Sequence, residues 1–575
     1  MTVTLRITPL QFLLVVSLGL YLAAMALVKM DAELTFRWVA FALDMLAVLL
    51  VLAPYVRDKW RYLSETHAVD RRDAMLLGPL IAFTALVGLI FLRAYPLVST
   101  GDELRDGGLQ AVFVYDGTMR NIFAWGTHEA HGLIIPIITG AFLPIFGHTV
   151  YAYRVPGVLL ACADVALVYL LVRVLLNRTA AFWSSLVLAT LTLHWFYSRT
   201  QVLLMFNTFW TIVLLVMLWF FWQRRNVMDY AALGTVIGFA SGFHVAARVV
   251  AMLVLLFVCL MEARSMLRLA LKGIVAYEDA FRGAVLLVFW LVGYGPRLWF
   301  TTREIFFYAG GSALESRTSD LAALQQSYLK SLLGIVYEPL SSMDPKLAAA
   351  PMLTPILALC FVLGIGYAFF VLRNRFLNGL LVLLLVLPMS NSTLTNLSNI
   401  AHRYSPLFPL VAIFTGLGIT YLLSRLTSSA LRYAGAAVAG VYLVYSVTMM
   451  FVNQPLDTGV DATDYLAMET IYFLADRPAP PDPATGQAQV CVTGSPKLHT
   501  TLGAAHWQEA LQYFLPHLGV EPWADAAMPD NEVLIQPGAC GRDPAPAAQE
   551  FILECRPRQQ LWCPRDYSGD MIIHY

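Results

Sequence analysis

Residues 75–92 read MLLGPLIAFTALVGLIFL, an apolar run of 18 residues without a charge. An α-helix of that length is about 27 Å long, close to the roughly 30 Å thickness of the hydrocarbon core of a bilayer. The run therefore predicts a transmembrane helix. Runs of the same character recur along most of the chain, for example Leu13 to Val28 and Leu407 to Leu423.

The composition also indicates a membrane protein. Of the 575 residues, 58% are hydrophobic and only 13% are charged, unlike the usage of soluble globular proteins. The runs are too long and too uniformly apolar to be the alternating strands of an outer-membrane barrel. We therefore predict an α-helical polytopic membrane protein. Its formal net charge is zero, so no global basic field favours nucleic acid as a partner.

The positions of the basic residues predict the topology. Lys and Arg gather in short connections, such as the one from Arg57 to Arg72, and these connections are expected to be cytoplasmic. The apolar runs between them then alternate as about thirteen transmembrane helices, with a cytoplasmic N-terminus and a C-terminus outside. The first run lacks an evident cleavage site and is followed by a second span, so we interpret it as a retained helix. We expect a multi-pass protein of the cytoplasmic (inner) membrane, in contact with membrane lipids.

Three regions follow along the chain. Residues 1–74 hold two transmembrane helices and a basic cytoplasmic loop, and residues 75–452 form a transmembrane core with outer loops at 93–153 and 301–350. Residues 453–575 are polar and long enough for a domain, which we predict to be extracytoplasmic, or periplasmic.

The first outer loop contains an apolar stretch, Leu133 to Phe146, that prolines interrupt. It is too short to span comfortably, so we expect a helix in the outer interface.

The pattern of the C-terminal region alternates between short strands and helices, which predicts a small α/β domain. Its predicted strands are Gln489 to Thr493, Glu532 to Gln536, Phe551 to Glu554 and Met571 to Tyr575, and its predicted helices are Thr463 to Leu474 and His506 to Phe514.

Four of the seven cysteines fall in this region, where an oxidising compartment favours up to two disulfides with three possible connectivities. They are Cys491, Cys540, Cys555 and Cys563. A zinc site is the alternative, although no close Cys-x-x-Cys pair supports it.

The acidic pair Asp102-Glu103 lies a few residues after the apolar run of residues 75–92, within the segment STGDELRD of residues 99–106. A carboxylate at the mouth of a membrane cavity can accept the proton of an attacking hydroxyl or amine. Polar residues are also ordinary in such loops, so the pair alone does not define a site.

Cationic side chains are predicted on the same outer side as the acidic pair. Arginines at membrane depth are costly, so several converging on one leaflet indicate an anionic ligand such as the phosphate of a lipid, although some can reach lipid headgroups instead. The candidate substrate-binding residues are Arg154, Arg199, His244, Arg248, Arg303, Arg317, His402, Arg403 and Tyr404.

An ordered series of motifs resembles the GT-C superfamily of polyprenyl-phosphate-dependent glycosyltransferases, in particular its protein O-mannosyltransferase and lipid A aminoarabinose transferase branch. The series begins with Asp102-Glu103, similar to the family's acidic motif in the first outer loop. The motifs that follow in order are the helix from His131 to Gly147, the segment Tyr153 to Leu159, the triplet Tyr197-Ser198-Arg199, and the Gly-rich segment Gly238 to Arg248.

The resemblance implies a GT-C fold and an inverting glycosyltransferase. It implies that Asp102 is the catalytic base, with Glu103 assisting, and that Arg248 and neighbouring arginines hold the phosphate of an undecaprenyl-type or other polyprenyl-phosphate sugar donor. The acceptor, a lipid, glycan or protein of the cell envelope, is not specified. The chain departs from the family at His131, which lacks the following proline pair, and at Asn207, where many members carry Asp.

Two alternatives remain open at this stage. A transporter or flippase of lipid-linked sugars would also place arginines beside a membrane cavity, and in a non-catalytic subunit the acidic pair would be structural.

Residues His128, Glu129 and His131 form a candidate metal group, but no certain third ligand accompanies the two histidines. We therefore predict no firm cofactor, with a divalent metal as the less favoured option.

Two acidic residues, Asp44 and Asp164, fall inside apolar runs. We expect each to pair with a Ser, Tyr or Arg on a neighbouring helix.

Overall fold

The computed structural model describes residues 8–31, 33–66, 70–93, 108, 110–117, 119–123, 134–200, 202–271, 277–301, 321–340, 351–393, 401–457, 471, 474, 489–494, 513–514, 519–524, 532–537, 550–555 and 569–574. Within these ranges the chain is a helical bundle followed by a β-sheet. The helices of the first half are α1 (Pro9–Met30), α2 (Arg37–Thr66), α3 (Arg71–Leu89), α4 (Gln110–Asp116), α5 (Ile134–Gly140), α6 (Leu143–Phe146), α7 (Val150–Leu175), α8 (Arg178–Thr190), α9 (Thr192–Thr200), α10 (Val202–Arg224) and α11 (Val227–Ser241).

The second half of the bundle continues in the same way. Its helices are α12 (Val245–Ala270), α13 (Tyr277–Tyr294), α14 (Arg297–Thr301), α15 (Leu321–Leu333), α16 (Pro355–Gly366) with a π-helical turn at Tyr367–Leu372, α17 (Arg375–Thr393), a 3-10 helix (Ala401–Leu407), α18 (Phe408–Arg425) and α19 (Ser429–Asp457). In the described ranges nine helices are long and apolar enough to cross a membrane, and the bent pair α8–α9 gives a tenth. Helices α11, α13 and α17 are shorter or more charged, so the described residues support nine or ten of the about thirteen predicted spans. The prediction of a polytopic helical membrane protein is confirmed.

Short polar sequences set where several helices begin. Asp70 accepts hydrogen bonds from the backbone N–H groups of Arg72 and Asp73, and Asn226 accepts one from that of Asp229. In both cases the carboxylate of the later Asp accepts a hydrogen bond from the backbone N–H of the capping residue. These reciprocal bonds satisfy N–H groups that a helix start leaves unpaired.

The bundle packs closely where glycines face a neighbouring backbone. A Cβ on Gly238 of α11 would collide with the carbonyl oxygen of Trp290 in α13, and one on Gly293 of α13 would collide with that of Thr235. Because lipid offers little hydrophobic drive between helices, such small residues favour association by letting two backbones approach.

A buried ion pair connects α2, the second of the two N-terminal helices, to the rest of the bundle. Lys59 Nζ of α2 lies 2.6 Å from Asp229 Oδ1 at the start of α11, and both side chains are at most 4% exposed. The ammonium group also lies over the ring of Tyr55.

Lys59→Met is therefore expected to lower the free energy of unfolding by about 3 kcal/mol, because it leaves a buried carboxylate without its counter-charge. The check is the melting temperature in detergent. Lys59→Met/Asp229→Asn should recover most of the loss, since the amide keeps the helix cap and removes the charge. Arg61→Met, in an exposed pair with Glu65, serves as the control and should leave the melting temperature unchanged. Equal effects of the Lys59 and Arg61 variants would contradict the assignment.

A second buried pair lies at the bend of 55° between α8 and α9. His194 Nε2 of α9 lies 3.4 Å from Asp164 Oδ2 of α7, and neither side chain is more than 1% exposed. The expected partner types for Asp164 were wrong, because its described partner is a histidine that enters the interior where the helix bends.

The C-terminal region contains a mixed five-stranded sheet. Its strands, β1 (Gln489–Gly494), β2 (Gly519–Ala524), β3 (Glu532–Pro537), β4 (Glu550–Cys555) and β5 (Gly569–His574), lie in the order β2-β1-β3-β5-β4. The pairs β1–β2 and β3–β5 are parallel, and β1–β3 and β4–β5 are antiparallel. Four strands were predicted and are present. The predicted helices fall mostly outside the described residues, although Tyr513 and Phe514 are helical.

The strand that was missed, β2, carries Pro522 and lies at the sheet edge, where a missing N–H group is tolerated. Cys491 of β1 is disulfide-bonded. No pairing was predicted among the four candidate cysteines, and disulfides at Cys540, Cys555 and Cys563 stay a prediction.

The predicted outer loops contain short helices. Within the predicted apolar stretch, Ile134–Gly140 form α5 and Leu143–Phe146 form α6, with a turn at residues 141–142 between them. Helices α4 and α15 were not predicted, and α15 occupies part of the loop 301–350.

Candidate functional site

The candidate residues that the structure describes lie at one end of the bundle, which we call the site end. It is the end at which α3, α9, α11 and α13 finish and α7, α10 and α12 begin. Hydrogen bonds connect these helix termini to one another.

Two arginines hold the C-terminal end of α3. Arg154, in the first turn of α7, donates from Nη1 to the carbonyl oxygen of Leu92 at 2.7 Å. Arg199, at the end of α9, donates from Nη1 to the carbonyl oxygens of Val87 at 2.8 Å and Gly88 at 2.7 Å. These carbonyls belong to the last turn of a helix and the residues just after it, where intrahelical partners are lacking.

These two arginines are buried, which does not fit their predicted role of contacting the sugar donor. Arg154 is 1% exposed and Arg199 is fully buried, with its guanidinium 5.2 Å from the ring of Trp195. Their described hydrogen bonds go to backbone carbonyls, so the geometry favours a positioning role for the helix that leads into the acidic pair. Tyr404 is placed in a similar way, since its buried hydroxyl donates to the carbonyl oxygen of Ser331 at 2.7 Å, in the last turn of α15.

Two further arginines lie around the ends of α11 and α13. Arg248 Nε of α12 donates to the carbonyl oxygen of Ser241 at 3.2 Å, and this side chain remains half-buried. Arg297 donates from Nε to the carbonyl oxygen of Tyr294 and from Nη2 to that of Gly293, each at 2.7 Å. The Arg297 guanidinium packs against Gly242, where a Cβ would lie 2.9 Å from Cζ.

A polar network centred on Asn207 of α10 joins the turn between α11 and α12 to the 3-10 helix. The amide nitrogen of Asn207 donates to His244 Nδ1 at 2.9 Å and to Ser405 Oγ at 3.1 Å. Its oxygen accepts from the backbone N–H of Ala247 at 3.2 Å, and Ser405 Oγ donates to the carbonyl oxygen of His402 at 3.0 Å. The backbone N–H of Ala246 also donates to His244 Nδ1, at 3.3 Å. We therefore assign Nδ1 as the acceptor, which places the proton of a neutral His244 on Nε2.

The half-buried residues of this junction are the candidates for ligand contact. His244 and Arg248 come from the α11–α12 turn, and His402 and Arg403 come from the 3-10 helix, which packs against α10 and α12. A partly buried pair of arginines with imidazole donors suits an anionic oxygen ligand, because guanidinium groups give charge-assisted hydrogen bonds. The structure thus brings together part of the predicted set.

The remaining predicted site residues lie outside the described residues. They are Asp102, Glu103, His128, Glu129, His131, Arg303 and Arg317. In the part of the chain that the structure describes, no group of three or more His, Cys, Asp and Glu residues is placed to hold a metal ion.

Asn207 gains importance that the sequence did not reveal. Asn207 was noted only as a departure from a family pattern, yet it is fully buried at the centre of the network. A polar amide inside the apolar run of α10 was the available signal, because buried amides require partners.

The fold and this junction define a polytopic membrane protein with a polar site at one end of a helical bundle. Residues 130–291 match the model of the dolichyl-phosphate-mannose-protein mannosyltransferase family. The match confirms the predicted resemblance to the GT-C superfamily. The branch within the superfamily stays a prediction. No curated protein matches the chain.

Among solved structures, the oligosaccharyltransferase of Archaeoglobus fulgidus is similar. Its apo form has a TM-score of 0.44 at 12% identity, covering 78% of this chain and 64% of that one. The form with Zn and sulfate has a TM-score of 0.44 at 15% identity, covering 78% and 62%. The archaeal oligosaccharyltransferase AglB with an inhibitory peptide and a dolichol-phosphate gives 0.43 at 14% identity, covering 79% and 65%. The chain therefore spans just under two thirds of the length of these proteins.

Proposed function

We propose that the protein is an inverting glycosyltransferase that moves a sugar from a polyprenyl-phosphate donor to an acceptor on the outer face of a cytoplasmic membrane. The observation that carries the proposal is the junction at the site end, where His244 and Arg248 meet His402 and Arg403 around Asn207. The family match over residues 130–291 supports a lipid-phosphate donor, because dolichyl phosphate is a polyprenyl-type phosphate.

In the proposed reaction, Asp102 accepts the proton of the acceptor's hydroxyl or amine as that group attacks the anomeric carbon of the sugar. The bond between the anomeric carbon and the phosphate oxygen breaks, and the polyprenyl phosphate leaves with the bonding electrons. Arg248 and Arg403 stabilise the charge that develops on the departing phosphate, and Nε2–H of His244 adds a donor. Attack from the face opposite the leaving group inverts the anomeric centre.

The two kinds of arginine at the site end have different proposed tasks. Arg248 and Arg403 are half-buried and bind the phosphate, whereas Arg154 and Arg199 are buried and hold the end of α3. Arg303 and Arg317 stay candidates for donor binding, and Glu129 and His131 stay candidates beside the acidic loop. The α/β domain of residues 453–575 is proposed to cover the site or present the acceptor.

The test uses the purified protein in vesicles containing a radiolabelled polyprenyl-phosphate sugar. The expected result is cleavage of the donor, measured as free polyprenyl phosphate and labelled acceptor or released sugar. A flippase would instead move the intact donor between leaflets without cleaving it, and a non-catalytic subunit would do neither. Either of those outcomes with a panel of donors would reject the proposal.

Arg248→Met is expected to lower kcat/KM for the donor about 100-fold, because a charge-assisted donor to the leaving phosphate is lost. The control is Arg432→Met, which removes an exposed arginine at the opposite end of the bundle and should leave the rate unchanged. Donor turnover is measured for both variants at matched protein content. A similar loss in both would point to a general effect of charge rather than to phosphate binding.

A further inference from the structure

The C-terminal region touches the helical bundle through a buried aromatic residue. Tyr513 is fully buried, and its hydroxyl donates to the carbonyl oxygen of Thr149, just before α7, at 3.2 Å. Its ring meets those of His148 and Tyr153 edge to face, each with centroids 5.6 Å apart. A residue of the soluble region thus packs into the junction where α6 gives way to α7.

The same ring also contacts the connection that carries the acidic pair. Gly108 lies six residues after Asp102 in the chain, and a Cβ on Gly108 would lie only 3.1 Å from Cε2 of Tyr513. That distance is tighter than ordinary van der Waals contact, so the absence of a side chain at Gly108 is what lets the ring lie against this point of the chain.

The other flank of the connection is held from the same place. One residue after Tyr153, Arg154 binds the carbonyl oxygen of Leu92, which precedes the connection. The start of α7 therefore binds one end of the connection directly, through Arg154. It also contacts Tyr513, which in turn contacts the other end of the connection at Gly108. Both ends of the connection are fixed to one short stretch of helix.

We propose that Tyr513 is a positioning residue, through which the soluble region fixes the Gly108 flank of the acidic connection against the start of α7. This inference rests on the proposed function in one respect, namely that the connection carries the catalytic base. It predicts that the soluble region contributes to the rate of transfer through Tyr513 as well as through any contact with the acceptor.

A double-mutant cycle between Gly108→Ala and Tyr513→Leu tests the contact. The added methyl group of Gly108→Ala should displace the connection from the ring and lower kcat about tenfold, with KM for the donor unchanged, because small misplacements of a catalytic group are costly. Tyr513→Leu should lower kcat to a similar degree by removing the ring. Once the ring is gone the methyl group has room, so the double variant should be no slower than Tyr513→Leu alone.

Two further variants separate positioning from stability. Tyr513→Phe keeps the ring and should retain kcat within about twofold, since only one hydrogen bond is lost. Ile535→Ala, in β3 of the same region and 2% exposed, should lower the melting temperature without changing kcat. A fall in kcat with Ile535→Ala equal to that with Tyr513→Leu would overturn the proposal in favour of a purely structural role.

A second readout keeps the proposal testable if Asp102 is not the base. The rate of limited proteolysis, by a glutamate-specific protease after Glu103 or by trypsin after Arg105, reports how strongly the connection is fixed to the bundle. This readout does not depend on catalysis. Gly108→Ala and Tyr513→Leu should each raise the cleavage rate about tenfold relative to wild type and Ile535→Ala. Multiplicative effects in the double variant, in cleavage and in kcat, would overturn the proposal. Altered cleavage with unaltered transfer would uphold the contact and reject the role of the acidic pair.

Discussion

Asp102→Asn is expected to lower kcat for sugar transfer about 10³-fold, while KM for the donor changes by less than about twofold. The amide keeps the size of the carboxylate and one acceptor oxygen, but it cannot accept the proton of the acceptor nucleophile. The measurement is single-turnover transfer in vesicles with saturating labelled donor, which separates the chemical step from binding.

Two neighbours in the same segment serve as matched controls for this variant. Glu103→Gln should reduce the rate by about tenfold if Glu103 orients or assists the base, and Asp106→Asn should leave it near the wild-type value. Equal turnover by wild type and Asp102→Asn would remove Asp102 from the mechanism. Equal losses in all three variants would indicate that the total charge of the segment matters rather than one base.

Arg199→Lys is expected to destabilise the protein by about 3 kcal/mol. Lysine carries the same charge but lacks the planar fork, so the buried carbonyl oxygens of Val87 and Gly88 lose well-directed donors. The check is the melting temperature in detergent, together with the affinity for the donor. The melting temperature should fall while the dissociation constant for the donor stays within about twofold.

The half-buried Arg248 offers the contrasting case. Arg248→Lys should weaken donor binding with a smaller change in melting temperature, because we propose that this guanidinium binds the donor phosphate. The opposite pattern, with weaker donor binding and normal stability in Arg199→Lys, would restore Arg199 to the set of phosphate ligands.

Much of the membrane fold was predictable because a bilayer imposes a simple length requirement. Apolar runs gave the helices, and the basic connections gave their alternation without any knowledge of packing. The bend between α8 and α9 was not predictable in the same way, because the apolar run continues through Leu191 without a signal. The feature that marks the bend is the contact between His194 and Asp164, which exists only in the folded bundle. Strand β2 was missed because Pro522 argues against a strand unless the strand is known to lie at an edge.

The candidate site was predictable as a set of residue types and a side of the bundle. The sequence could not show which group each guanidinium donates to. A buried arginine at a helix end and one facing a substrate have the same signature in the sequence, and only the contacts of Arg199 and Arg248 separate them. Asn207 was undervalued for a related reason, since its partners His244 and Ser405 are distant in the chain and meet it only in the folded bundle.

The arginines that hold helix ends have an electrostatic consequence for an incoming lipid phosphate. Helices α3, α11 and α13 all finish at the site end, and each finish carries roughly half a negative charge from its aligned peptide dipoles. Left alone, these three termini would create a repulsive potential for an anionic headgroup. Arg199, Arg248 and Arg297 donate to carbonyl oxygens of those termini and offset that potential. Arg199 and Arg297, to which we assign no contact with the phosphate, would therefore still ease its approach.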